Sequence, residues 1–140
     1  MAATPREVVD ANFRHIIAKN AAAIIAGYHP SEELYVILEG PRLSNRGIGP
    51  ISQGWRDFVD SPIALRAVDW TEGPFVEESP EMAWVGGIID LSVDVRGRVF
   101  TQTFRATFVL TRQTGEWRIK HEHVSAAHAD PYGIGDWLQQ

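Results

Sequence analysis

The chain has 140 residues, of which 44% are apolar and 22% are charged, and these values exclude a disordered chain and a fibrous repeat. The 13 Lys and Arg residues against 18 Asp and Glu residues give a net charge of −5, which argues against nucleic acid as a partner. The longest strictly apolar run, Ala21 to Ala26, is too short to span a membrane. There is no cysteine and no signal-peptide pattern after Met1, so we expect a cytoplasmic protein that forms one domain over 1–140.

The first predicted element is a long helix. Thr4 can cap its start, Pro5 suits the first helical position and Glu7 completes a capping box. Apolar residues then recur at helical spacing as far as Gly27, which is typical of a helix end. These signals predict one helix over Pro5–Ala26.

A second, shorter helix is predicted between the Gly49-Pro50 and Ser61-Pro62 dipeptides, because apolar residues between them share one helical face. The segment between the two helices contains a brief apolar run, Leu34–Leu38, which indicates a short strand. The glycine-rich stretch Glu39–Gly49 indicates a loop.

The rest of the chain has the pattern of β-strands. Four are predicted: Ala64–Val76, Met82–Val95, Arg98–Arg112 and Glu116–Ser125. Helices followed by an antiparallel meander favour an α+β fold, in which helices cover one face of a sheet.

Two turns suggest how the last three strands pair. A tight turn at Arg96-Gly97 places Ile88 opposite Arg105, and a three-residue turn at 113–115 places Arg105 opposite His123. These registers divide the side chains between two faces of the sheet.

One face is apolar and the other is mixed. The apolar face holds Ala83, Val85, Ile89, Leu91, Val93, Phe100, Phe104, Phe108 and Leu110, with Arg118, Lys120 and Glu122 along its edge. The mixed face holds Trp84, Ile88, Asp90, Thr103, Arg105, Thr107, Trp117, Ile119, His121, His123 and Ser125. Apolar walls with a few convergent polar groups are typical of a ligand pocket, so we expect the pocket on the mixed face. The apolar face then needs a partner, and we expect a homodimer through this outer face of the sheet.

The segment 104–125 resembles the closing hairpin of the SnoaL-like, NTF2-like superfamily. It contains Arg105-x-Thr107, a turn with glycine, Trp117-x-Ile119 and His121-x-His123-x-Ser125, and Gly54-Trp55 and Ala83-Trp84-Val85 precede it in the expected order. The resemblance implies a cone in which a curved, mostly antiparallel sheet wraps a long N-terminal helix and shorter helices. It also implies a ligand in the mouth of the cone and dimers through the outer sheet face. An aspartate that many members carry after the first helix is replaced here by the stretch 28–33.

The mixed face supplies the candidate catalytic residues. Asp90, His121 and His123 are candidates for proton transfer, and Arg105 for polarising a substrate. A structural alternative is that the histidines satisfy buried hydrogen bonds and that Asp90 and Arg105 form an internal ion pair. The remaining candidate binding residues are Thr107, Trp84, Ile88, Trp55, Tyr28, Tyr35 and Trp117, of which the tryptophans could equally be core.

Two functions are compatible with these patterns. The first is a protein that binds a hydrophobic small molecule and acts on it, without cofactor or metal, as an isomerase, cyclase or dehydratase by proton transfer. The second is an oligomeric association module whose pocket is vestigial. The superfamily includes both kinds, as well as epoxide hydrolases and members with no known role, and fold alone does not choose between them.

Overall fold

The computed structural model describes residues 2–138; residue 1 and residues 139–140, which the predicted domain includes, lie outside the described residues. Three helices and six strands follow one another in the order α1 Pro5–Ile17, α2 Ala21–Ala26, β1 Tyr35–Ile37, β2 Asn45–Arg46, α3 Ile48–Asp60, β3 Ile63–Glu78, β4 Met82–Val95, β5 Arg98–Gln113 and β6 Glu116–Ser125. The predicted α+β class is confirmed.

The six strands form one curved, open sheet with the order β2-β1-β6-β5-β4-β3. Neighbouring strands are antiparallel except β1 and β6, which run parallel. The helices pack on one face of this sheet, as expected for an NTF2-like cone. Within residues 2–138, no helix is long and apolar enough to cross a membrane.

The predicted single N-terminal helix is in fact two helices. Its start is as expected: Thr4 caps α1 and forms a capping box with Glu7. The chain then turns at Lys19, whose φ of 54° lies in the left-handed region. Asn20 caps α2 by accepting a hydrogen bond from the backbone N–H of Ala23. A second N-cap so close behind α1 breaks the helix, and a short strand, β2, also interrupts the predicted loop 39–49.

The β4–β5 hairpin has the predicted register. Ile88 pairs with Arg105, and Asp90 pairs with Thr103. The two turn residues, Arg96 and Gly97, both have positive φ, which is the backbone conformation that a two-residue hairpin turn requires.

The predicted register of the β5–β6 hairpin is wrong. Its turn has two residues, Thr114 and Gly115, rather than three, and Arg105 pairs with Ser125 instead of His123. A β-bulge lies farther along the ladder, where Leu110 pairs with Ile119 but the adjacent Val109 pairs with His121. Lys120 is therefore the extra residue of β6.

This bulge changes which side chains of β6 face the helices. Before it, Trp117 and Ile119 are buried; after it, Glu122 and Val124 are buried while His123 is exposed. A strand normally alternates its faces with a period of two, and one extra residue reverses that alternation. The expectation that His121 and His123 point inward and Glu122 outward is thus overturned.

The apolar face of the sheet lies under the helices and forms the core. Phe108 is 0% exposed, and its ring packs edge-on against Phe13 of α1, with a centroid distance of 5.7 Å. Phe108 is thus covered by α1 and is not available for the expected dimer contact through Phe100, Phe104 and Phe108, and the homodimer itself stays a prediction. The mixed-face residues of β4 and β5, together with His121 and His123, form the outer face of the sheet, whereas Trp117 and Ile119 are buried under the helices.

Candidate functional site

A cavity of about 230 Å³ opens between α3 and the inner face of the sheet. Its walls are mainly apolar and come from α1, α3, β3, β4 and β6. The lining residues are Phe13, Ile16, Leu38, Glu39, Gly40, Gly54, Trp55, Phe58, Ile63, Leu65, Ile89, Leu91, Val93, Glu122 and Val124. A largely apolar cavity with very few polar groups is typical of a binding site for a small hydrophobic molecule.

The floor of the cavity carries a buried carboxyl group, that of Glu122, which is only 2% exposed. The hydroxyl of Tyr28 donates a hydrogen bond of 2.6 Å to its Oε1 atom. The indole Nε1 of Trp55 donates in turn to the Tyr28 hydroxyl at 3.1 Å. Of the described residues, none donates a hydrogen bond to Oε2, so this oxygen is the one left for a ligand.

The backbone holds Tyr28 in place above β6. Tyr28 follows Gly27, the C-cap residue of α2, and forms an isolated parallel bridge with Ile119. Two backbone hydrogen bonds fix this junction: the N–H of Ile119 donates to Gly27 at 2.9 Å, and the N–H of His29 donates to Ile119 at 2.8 Å. Trp55, on the buried face of α3, completes the chain of donors.

Burial is the largest influence on the pKa values of Glu122 and Tyr28 in this hydrogen-bonded chain. It raises the pKa of Glu122 to about 7, although the hydrogen bond from Tyr28 acts in the opposite direction, and the negative charge of Glu39 raises it further. The pKa of Tyr28 lies well above its usual range, because of its burial first and the neighbouring Glu122 second. Near neutral pH, Glu122 can therefore both hold and release a proton, while Tyr28 remains a donor.

Most of the sequence-predicted site residues lie on the outer face instead. Those on this face are Trp84, Ile88, Asp90, Arg105, Thr107, His121, His123 and Tyr35. The ring of His121 stacks on Tyr35 at 5.6 Å, and its Nδ1 lies 2.8 Å from the Tyr35 carbonyl oxygen. These side chains are together on one surface, but they do not contact the cavity.

Asp90 and Arg105 do not pair with each other. The hydroxyl of Thr103 donates to Asp90 at 2.6 Å. The guanidinium of Arg105 donates to the Ser125 hydroxyl and to the Ala126 carbonyl oxygen, at 3.1 and 3.0 Å. The ion pair considered as their structural alternative is thus replaced by separate hydrogen bonds.

The three remaining predicted residues are buried. Tyr28 and Trp55 belong to the hydrogen-bonded chain at the cavity floor. Trp117 is in the core, with the Arg112 guanidinium 4.6 Å from its ring, and it does not line the cavity.

Glu122 and Glu39 were not predicted from the sequence. A signal for Glu122 was present: the apolar residues Trp117 and Ile119 occupy odd positions, whereas Val124 occupies an even one. A strand with one buried face cannot bury both sets without a bulge between them. Within residues 2–138, no group of three or more His, Asp or Glu side chains could hold a metal ion.

Sequence comparison identifies the family. Residues 6–129 match the SnoaL-like domain, and the chain belongs to this family. None of the curated proteins compared with the chain is similar to it in sequence.

Solved structures share the fold at low sequence identity. A putative calcium/calmodulin-dependent protein kinase type II association domain from Thiobacillus denitrificans is 16% identical, with a TM-score of 0.74 over 91% of this chain and 98% of that one. An NTF2-like superfamily protein from Salmonella enterica is 19% identical, with a TM-score of 0.74 over 93% of each chain. A ketosteroid isomerase-like protein from Erwinia carotovora is 17% identical, with a TM-score of 0.69 over 86% of this chain and 91% of that one. At these identities the likeness shows the fold alone.

Proposed function

We propose that the protein binds a hydrophobic small molecule in this cavity and that Glu122 transfers a proton to or from it. The observation that carries the proposal is the position of Glu122, a buried carboxyl group at the floor of an apolar cavity with one oxygen unoccupied. A carboxyl group in such surroundings is suited to general acid–base catalysis near neutral pH.

The hydrogen-bonded chain supports a specific role for each residue. Tyr28 occupies Oε1 of Glu122, so the proton that Glu122 gains or loses is on Oε2. In its ionised form, Glu122 can accept a proton from an acidic C–H or O–H group of the ligand. In its neutral form, it can donate to a carbonyl, epoxide or leaving hydroxyl oxygen. These are the steps of isomerase, cyclase and dehydratase chemistry, and Tyr28 and Trp55 act as positioning residues.

A ligand screen with variants tests this proposal. Hydrophobic ketones, epoxides and enols are assayed for thermal stabilisation of the protein, and bound ketones are assayed for exchange of their α-hydrogens with deuterated water. Glu122→Gln should slow exchange by about 10²–10⁴-fold, the range for loss of a general acid–base group. Glu81→Gln, the same change at an exposed position on the β3–β4 connection, is the matched control. Exchange at the parent rate in Glu122→Gln would refute the catalytic role.

A second function, association with another copy of the chain, is supported by the outer face of the sheet. This surface exposes Trp84 by 38% and Val99 by 63%, and it also includes Ile88 and Tyr35. We propose that two copies pair through this outer face. The names of the relatives include both an association domain and an isomerase-like protein, and a dimer is compatible with either function. The mass of the protein in solution tests the pairing.

A further inference from the structure

The ionisable groups that line the cavity are all acidic. Glu39 follows β1 and is exposed at the mouth, and Glu122 is buried at the floor. Of the residues that the structure describes, no lysine, arginine or histidine lines the cavity. Lys19 lies behind the Phe58 wall, with its Nζ 5.4 Å from the centre of that ring, and its Nζ donates to the carbonyl oxygens of Val59 and Ser61.

The carboxyl groups of Glu39 and Glu122 both affect the electrostatic potential inside the cavity. The charge of Glu39 reaches the floor, because it disfavours ionisation of both Glu122 and Tyr28 and so raises their pKa values. A ligand between mouth and floor therefore lies in the field of both carboxyl groups. In an enclosure of low polarity, this field is screened far less than it would be in water.

The walls between the carboxyl groups favour a positive charge as well. Phe13 and Trp55 line the cavity, and aromatic rings attract organic cations. The volume of about 230 Å³ exceeds the roughly 150 Å³ of an apolar cavity that accepts benzene. The space thus suits a skeleton of one or two rings.

We propose that the cavity selects hydrophobic cations, namely protonated amines on a one- or two-ring skeleton, and rejects anions. This inference rests on the proposed function of the cavity as a ligand site and names the substrate class. The ammonium group pairs with Oε2 of Glu122, and the rings pack against the apolar walls. A carboxylate or phosphate of the same size meets two acidic side chains in the described cavity lining and no basic one.

Proton release accompanies such binding. A bound ammonium stabilises the ionised form of Glu122, so a protein that carries the proton before binding must lose it. The titratable groups that act on Glu122 are Tyr28 and Glu39, while α1, α3, β3 and β4 present apolar side chains to the cavity. The neighbouring histidines, His121 and His123, lie on the other face of β6. Amine affinity therefore rises with pH through the region around neutrality and levels off until the amine loses its own proton.

Three probes of one shape test the inference: 1-naphthylmethylamine, 1-naphthylmethanol and 1-naphthoate. Calorimetric titrations are run at about pH 6 and about pH 8, in buffers of different ionisation enthalpy, so that released protons are counted. At the higher pH, the amine should bind at least ~10-fold more tightly than the alcohol, and the carboxylate should not bind detectably. Proton release should be seen with the amine at the lower pH and not with the alcohol.

Two variants test whether the preference for cations depends on Glu39 and Glu122. Glu39→Gln should weaken amine binding several-fold and leave alcohol binding unchanged, and Glu122→Gln should abolish the pH dependence. Glu81→Gln should behave as the parent. Equal affinity for alcohol and amine, or a preference that survives both substitutions, would overturn the selection of cations while leaving the cavity as a ligand site. Failure of all three probes to bind would overturn both proposals together.

Discussion

Tyr28 and Glu122 are separated by 94 positions in the sequence and joined by a 2.6 Å hydrogen bond in the folded protein. Both side chains are almost completely buried, at 1% and 2% exposure. The bond connects the end of α2 to the inner face of β6. It therefore links the packing of the helices to the protonation of Glu122 at the cavity floor.

Tyr28→Phe tests this link. The substitution keeps the ring and removes the donor, and a buried acceptor that loses its partner costs about 1–3 kcal/mol of stability. Because the Tyr28 hydroxyl lowers the pKa of Glu122, its loss should also move the pH midpoint of ligand binding upward. Denaturant unfolding and a binding titration against pH measure the two effects. Tyr35→Phe, on the outer face, is the control and should change neither. A midpoint that moved downward in Tyr28→Phe would contradict this account.

Glu122→Gln should make the protein more stable above neutral pH. The pKa of Glu122 is raised from 4.5 to about 7 in the folded protein. Below pH 4.5, the carboxyl group is protonated in both the unfolded and the folded protein, so its ionisation costs no stability. As the pH rises from 4.5 toward 7, Glu122 loses its proton in the unfolded protein before it does so in the folded protein. This difference lowers the free energy of unfolding by roughly 3 kcal/mol at pH 8.

A glutamine at this position cannot ionise and avoids that loss. The melting temperature of Glu122→Gln should therefore exceed that of the parent at about pH 8, and the difference should shrink toward about pH 5. Thermal unfolding across this range measures it, with Glu81→Gln as the reference. A difference that stays constant with pH would show that Glu122 does not titrate as described.

Substitutions of the outer-face candidates separate that surface from the cavity. Asp90→Asn and His123→Gln lie on the side of the sheet opposite Glu122. Each should leave the affinity of a cavity ligand within about two-fold of the parent, because neither side chain contacts the cavity. Calorimetric titration of both variants beside Glu122→Gln makes the comparison. A loss of about 10²-fold in turnover with His123→Gln would return the active site to the outer face.

Thr107→Arg tests association through the outer face. Thr107 is exposed and pairs with Gly86 on one side and His123 on the other, in the middle of the sheet. Two copies that meet here across a twofold axis would bring two introduced arginines together, and the dimer should dissociate. Light scattering after size-exclusion chromatography gives the mass. Ala22→Arg, on the exposed side of α2, should not change it. A monomeric parent would refute the pairing outright.

Local patterns predicted the parts of the fold that depend on local chemistry. The β4–β5 hairpin follows from alternation along both strands and from a turn at Arg96-Gly97; its register and the bounds of β4 are confirmed, and β5 runs one residue beyond the predicted end, to Gln113. The helix start at Thr4 is likewise local. Asn20 is a local signal too, but the apolar periodicity that continues through it indicated a single helix.

The cavity depends on features that no single segment contains. The bulge at Lys120 arises because β6 must pair with β5 and also bury both Ile119 and Glu122 toward the helices. Glu39 reaches the cavity only because β1 pairs with β6. Tyr28 and Trp55 were expected at the site as separate aromatic residues, whereas their hydrogen-bonded order depends on α2, α3 and β6 packing together.

The bulge at Lys120 also bears on how this strand is compared between related chains. Consider a related chain whose sixth strand has no bulge, aligned to this one at Trp117 and Ile119. Its next two inward-facing residues align with His121 and His123, which face outward in this protein. Only a one-residue gap at the bulge restores the match between inward positions. A residue-by-residue transfer of roles without that gap would assign imidazole chemistry to a cavity that contains a carboxyl group.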